Sequence, residues 1–236
     1  MVFNNLNRLF IGLLILAIVL ISYSLKLDFI LVILILFLIT YDFLNIKITN
    51  FIYIFIISLF TFCLIIFLPY EFFNFFFIFQ IFFVILTLFN NKFKKISFLL
   101  SLYIFCMILF HLSNLNRSIF YTVILISFLN DTIAYIAGKK IGGALILPSI
   151  SPKKTWSGTS ISFLASLTVL IYLNINFFIA IFVSISLFIG DIYFSYIKRY
   201  LNLKDFSSIL KAHGGTLDRL DSMFFSVIIY QIYLFF

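Results

Sequence analysis

NFFIAIFVSISLFIGDIYFSYI, residues 176–197, holds one charged side chain, Asp191, and is followed at once by Lys198 and Arg199. A helix rises about 1.5 Å per residue, so a run of this length crosses roughly 30 Å of hydrocarbon. The stretch reads as a transmembrane helix with a basic exit, and its carboxylate sits about two turns before that exit.

Similar runs recur from end to end. Polar breaks divide the 236 residues into nine candidate spans: 9–25, 28–44, 50–68, 72–89, 96–112, 119–137, 159–174, 176–197 and 220–236. The chain is 64% hydrophobic and only 10% charged, far from the about 25% charge of a soluble domain. The fold class expected is therefore an all-α polytopic membrane protein of about nine helices. The first run follows only Met1–Arg8, lacks a small-residue cleavage site and reads as a retained span.

Lysine and arginine fix the orientation. With nine spans, the side that receives the N-terminus and the loops after even-numbered spans holds fourteen of the sixteen Lys and Arg residues. The opposite side holds only Lys26 and Arg117. The positive-inside rule places the fourteen in the cytoplasm, with the N-terminus there and the C-terminus across the membrane. The net charge of +8 is thus a topology signal, and nucleic-acid binding is not needed to explain it. The 36 phenylalanines accompany much Ile, Asn and Lys and read as compositional bias. Cys63 and Cys106 lie in apolar runs without metal-ligand spacing.

The two parts of the chain differ. Residues 1–118 form an N-terminal region of about five spans with short loops, whereas 119–236 carry two long cytoplasmic loops, 138–158 and 198–219. Chemistry belongs to the second part. Asp131 lies near the cytoplasmic end of the sixth span and Asp191 in the eighth. A carboxylate at membrane depth costs at least about 2.5 kcal/mol and normally faces a cavity or partner. Asp218 and Asp221 share i,i+3 spacing, which places them on one face of a helix, where like charges repel. Asp191, Asp218 and Asp221 brought together would require a cation, and Mg²⁺ commonly pairs one or two carboxylates with substrate phosphates.

Cations surround these acids in the sequence. Asp191, Ser195 and Lys198 form one helical stripe toward the cytoplasm, and Arg199, Lys204 and Arg219 follow in the next loop. Ser151–Gly158 adds Lys153 and Lys154 behind Pro152, and Gly214-Gly215 lets backbone N–H groups approach a phosphate. For any single lysine here, positive-inside topology is a better explanation than catalysis. His213 is a candidate base by residue type, and a loop-structuring hydrogen bond accounts for it equally well. His111 and Trp156 read as interfacial residues.

SYIKRYLNLKDFSSILKAHGGTLDRLD, residues 195–221, resembles the signature of the phosphatidate cytidylyltransferases: Ser-x-x-Lys-Arg, Lys-Asp, His-Gly-Gly and Asp-Arg-x-Asp at fixed spacing. Asn130-Asp131-Thr132 with Ala134-Tyr135, the SPKKTW stretch and Gly190-Asp191 match further blocks in the expected order. Lys211, Thr216 and Ser157 depart from it, where proline or a small residue, an apolar residue and glutamate are usual. The resemblance covers roughly 130–222. It implies an enzyme that joins CTP to phosphatidic acid, giving CDP-diacylglycerol and pyrophosphate. It implies a Mg²⁺ cofactor, with a second cation allowed for, a homodimer, and a site facing the cytoplasm from a bacterial plasma membrane.

On that reading Asp191, Asp218 and Asp221 bind metal, and Lys198, Arg199, Lys204 and Arg219 hold phosphates or shape the loop. Ser195, Lys153, Lys154, His213 and the Gly214-Gly215 backbone assist, and Asp131 lines the polar cavity. The rival readings are a CTP-dependent polyprenol or phytol kinase, a transporter using Asp131 and Asp191 as an ion path, and an inactive relative.

Overall fold

The computed structural model describes residues 16–46, 50–207 and 215–235. Lys211, His213 and Gly214 lie outside them, as does the side chain of Lys153. Each of the nine expected spans carries an apolar helix among the described residues. Five segments are long and apolar enough to cross a membrane: Asp28–Ile46, Glu71–Phe89, Lys94–Leu115, Arg117–Ile141 and Phe177–Tyr200. Leu16–Leu25, Phe51–Phe67, Trp156–Tyr172 and Met223–Phe235 are shorter apolar helices. Large apolar side chains face outward along them, among them Phe89 at 84% exposure and Phe178 at 69%. Such a surface is suited to lipid and is incompatible with water, so the chain is an α-helical membrane protein.

The residues divide into two compact units, one within Met1–Tyr121 and Asp205–Leu217, the other within Thr122–Lys204 and Asp218–Phe236. The sequence reading split the chain once, at 118/119. In the structure Asp205–Leu217 goes with the first unit.

The first unit contains helices α1 (Leu16–Leu25), α2 (Asp28–Ile46), α3 (Phe51–Phe67), α4 (Phe76–Phe89) and α5 (Lys94–Leu115), with a 3₁₀ helix, Tyr70–Phe75, before α4. Helix α5 is the hub, and α2, α3, α4 and the 3₁₀ helix all pack on it. Its residues are accordingly buried around most of the helix circumference, from Phe98 to Leu112. Ile65, Phe73 and Met107 form one apolar knot, with Phe73 edge-on to Phe110 at 5.5 Å. A polar clasp closes one end. Arg117 Nε donates to Asp28 at 2.7 Å, Tyr121 Oη donates to the same carboxylate at 2.6 Å, and the guanidinium lies over the Tyr23 ring at 4.8 Å.

The second unit contains most of α6 (Arg117–Ile141), a hairpin of β1 (Leu145–Leu147) and β2 (Ser151–Thr155), then α7 (Trp156–Tyr172), α8 (Phe177–Tyr200), α9 (Leu217–Leu220, whose remaining residues begin at Asp218) and α10 (Met223–Phe235). The hairpin is a small departure from an all-helical fold. It is antiparallel, with Leu145 opposite Thr155 and Leu147 opposite Ser151. Pro152 is tolerated because a two-stranded ladder has only edge strands. Helix α6 ends at Gly142, whose φ of 68° is the left-handed cap that glycine adopts without penalty. Thr155 caps α7, its hydroxyl accepting from Gly158 N at 3.2 Å, and Asn176 caps α8, accepting from Phe178 N at 3.0 Å.

Glycines set the packing inside this unit. A Cβ on Gly158 would stand 2.6 Å from the Ala134 carbonyl oxygen, so α7 meets α6 at backbone distance. Helix α8 packs on α7 and α10. Its seam with α10 is aromatic, with Tyr193 stacked on Phe224 at 5.8 Å and Phe194 edge-on to Phe224 at 5.3 Å.

Candidate active site

Asp131 on α6, Asp191 on α8 and Asp221 just before α10 converge in the second unit. Each offers a carboxylate oxygen within 4.8 Å of the other two. Asp221 is buried, and Asp131 and Asp191 are half-buried. The approach depends on Gly190: a Cβ there would stand 2.3 Å from the Asp221 carbonyl oxygen. The absence of that side chain lets the Asp221 backbone lie directly against α8, one residue from Asp191.

Cations adjoin this centre. Lys154 Nζ, from the hairpin, lies 2.7 Å from Asp191 Oδ2, a close ion contact off the line of a hydrogen bond. Lys198 Nζ lies 2.7 Å from Asp218 Oδ1 and donates to it. The charges of Lys198 and Lys154 also bear on Asp221, and those of Arg219 and Lys154 on Asp131. The balance still leaves three carboxylates crowded together. Two unit charges 4 Å apart repel by about 4 kcal/mol at an effective dielectric of 20. Asp131 Oδ1 is buried and accepts no hydrogen bond from the described residues. A hard divalent cation fits such a set: three carboxylate donors, one with an unsatisfied buried oxygen.

Asp191 and Asp221 meet as predicted from sequence, but their third partner is Asp131, and Asp218 turns to Lys198. The reason is local. The i,i+3 rule assumed one continuous helix through 218–221, whereas α9 is only four residues long and a turn at Asp221-Ser222 separates it from α10. Ser195 is buried on the same face of α8 as Asp191 and Lys198. Arg199 is engaged with backbone, donating from Nε to Ile150 O and from Nη1 to Leu203 O, both at 3.0 Å. It ties the hairpin turn to the segment after α8. Arg219 is half-buried on α9, and Lys204 is exposed.

Gly215 belongs to the first unit, where a Cβ would meet Ser207 N at 2.8 Å and Asp42 Oδ2 at 2.9 Å. Two departures from the family signature also find partners. Thr216 donates to Asp42 at 2.6 Å, and the Ser157 hydroxyl lies 3.1 Å from that of Thr155 and donates to Gly142 O. Sequence reasoning missed Asp42. A lone acid near the end of the second run was the only signal, and its donors lie more than 160 positions away.

Residues 6–236 match the cytidylyltransferase family. A phosphatidate cytidylyltransferase of Rickettsia bellii is 40% identical over 109 residues, 39% of this chain and 47% of that protein. One from Aquifex aeolicus is 34% identical over 150 residues, 60% of this chain and 57% of that protein. One from Rickettsia conorii is 32% identical over 139 residues, 52% of this chain and 60% of that protein. The chain thus spans about half the length of the curated relatives it matches. With the match running along nearly the whole sequence, the chain belongs to the cytidylyltransferase family.

Proposed function

We propose that this chain joins CTP to phosphatidate, forming CDP-diacylglycerol and pyrophosphate at the cytoplasmic face of a membrane. The observation that carries the reading is the Asp131–Asp191–Asp221 centre with Lys154 and Lys198 beside it. Relatives named phosphatidate cytidylyltransferase supply the substrate class.

The chemistry asks little of a base. A phosphate oxygen of the lipid attacks the α-phosphorus of CTP, the bond from that phosphorus to the bridging oxygen breaks, and its electron pair leaves with pyrophosphate. The lipid phosphate is already an anionic nucleophile, so the protein has only to align it and offset charge. Asp131, Asp191 and Asp221 would hold Mg²⁺, which supplies neutralisation of the triphosphate when bound. Lys154 and Lys198 place ammonium groups beside these carboxylates, where incoming phosphates can compete for them. Lys198 is returned to Asp218 once pyrophosphate has gone. Arg199 shapes the site by holding the hairpin turn. The lysines and arginines of the long loops support a cytoplasmic side for this chemistry, where dissolved CTP would meet a lipid phosphate.

The test uses purified protein in detergent with phosphatidic acid and CTP labelled on either the α- or the γ-phosphate. The α-label should enter the lipid, the γ-label should leave as pyrophosphate, and chelation should stop both. If the γ-label enters lipid while CDP accumulates, the chain is a lipid kinase instead.

A further inference from the structure

We infer that Asp42 is a positioning residue for the reaction, fastening both described ends of the segment that leads into the active site; this rests on the function proposed above. Asp42 lies on α2, four residues before its last residue, Ile46, and is fully buried. A carboxylate in such an apolar helix needs donors. From the described residues it receives three: Ser207 Oγ at 2.6 Å on Oδ1, and Thr216 Oγ1 at 2.6 Å and Leu217 N at 2.9 Å on Oδ2. Hydrogen bonds to an ionised acceptor are short and about twice as strong as neutral ones.

The three donors come from two points of the chain, on either side of residues 208–214. The first contact fixes Ser207, next to Phe206, which stacks on Phe98 of α5 at 5.8 Å. The other two fix Thr216 and Leu217, and Leu217 opens α9, whose next residue is Asp218. Gly215 packs so closely beside the carboxylate that a Cβ would stand 2.9 Å from Oδ2. One side chain therefore holds both Ser207 and the Thr216-Leu217 pair. Through Leu217 it holds the first residue of α9, which is followed in the chain by Asp218. Asparagine at position 42 keeps the size and one acceptor oxygen, but its NH₂ group would face hydroxyl and N–H donors. A role in positioning therefore predicts a defect that a near-isosteric change is sufficient to cause.

The variant to make is Asp42→Asn, in the full chain in detergent, beside Asp28→Asn, which breaks a different clasp of the same unit. Hydrogen exchange and steady-state kinetics are then measured on each. Asp42→Asn should speed exchange of the Leu217 amide and lower kcat/KM for CTP by about tenfold or more. Its KM for the lipid should change little, and Asp28→Asn should leave both kinetic constants within about twofold of wild type. Faster exchange with unchanged kinetics would reduce Asp42 to a structural anchor and overturn the inference. So would unchanged exchange, or an equal kinetic loss in Asp28→Asn. Transfer by wild type that Asp42→Asn matches overturns this inference alone. Absence of transfer by wild type overturns the proposed function and the catalytic part of the inference with it.

Discussion

Asp131 and Asp218 carry the same functional group, and their neighbours separate them. Asp131 has carboxylates beside it and a buried oxygen that accepts no hydrogen bond from the described residues, whereas Asp218 holds the ammonium of Lys198 at 2.7 Å. Replacing the two should therefore have unequal effects. Asp218→Asn weakens the hold on Lys198 without removing a member of the carboxylate centre. We expect it to lower cytidylyl transfer by about tenfold, and to cost little more in a background where Lys198→Met has already removed the partner. A double-mutant cycle on turnover measures this. Fully additive losses would mean that the two residues act separately.

Among the elements, the helix crossings set the site, and glycine sets the crossings. Gly190→Ala would drive a methyl group to 2.3 Å from the Asp221 carbonyl oxygen, so Asp221 must move away from Asp191. The expected outcome is a lowered Tm together with lost activity, since overpacking typically costs about 1–3 kcal/mol. Gly158→Ala crowds the α6–α7 crossing in the same way, with its Cβ 2.6 Å from Ala134 O. It should lower Tm by a similar amount, measured by thermal unfolding in detergent. The apolar helices were legible in the sequence because lipid demands long uninterrupted runs. Asp191 was legible because a carboxylate in such a run has few innocent explanations. Three things were not. The hairpin at 145–155 lies in a stretch too short and mixed to show a strand period. The break between α9 and α10 defeated a spacing rule that holds only within one helix. The partners of Asp42 are distant in sequence, and no local pattern announces them.

For the whole molecule, the charge asymmetry predicts which surfaces meet which compartment. Lys92 and Lys140 are exposed and assigned to the cytoplasmic side, whereas Lys26 is exposed in the turn between α1 and α2 on the other. In a Cys63→Ser background, a cysteine placed at 92 or 140 should resist a membrane-impermeant thiol reagent in intact cells and react after lysis. A cysteine at 26 should react in both. Labelling of 140 in intact cells would reverse the orientation and set the Lys154–Asp191 region away from CTP. The apolar exterior makes a second demand, that activity and Tm depend on a lipid or detergent shell.

The claim that joins these scales is that Asp131, Asp191 and Asp221 form one centre for cytidylyl transfer. Its most direct measurement is the rate at which label from α-labelled CTP enters phosphatidate, followed across a Mg²⁺ titration, in wild type and in Asp131→Asn. Wild type should show Mg²⁺-dependent transfer, and the variant should lose about 100-fold or more while still membrane-inserted. Transfer by Asp131→Asn within about twofold of wild type at every Mg²⁺ concentration would contradict it.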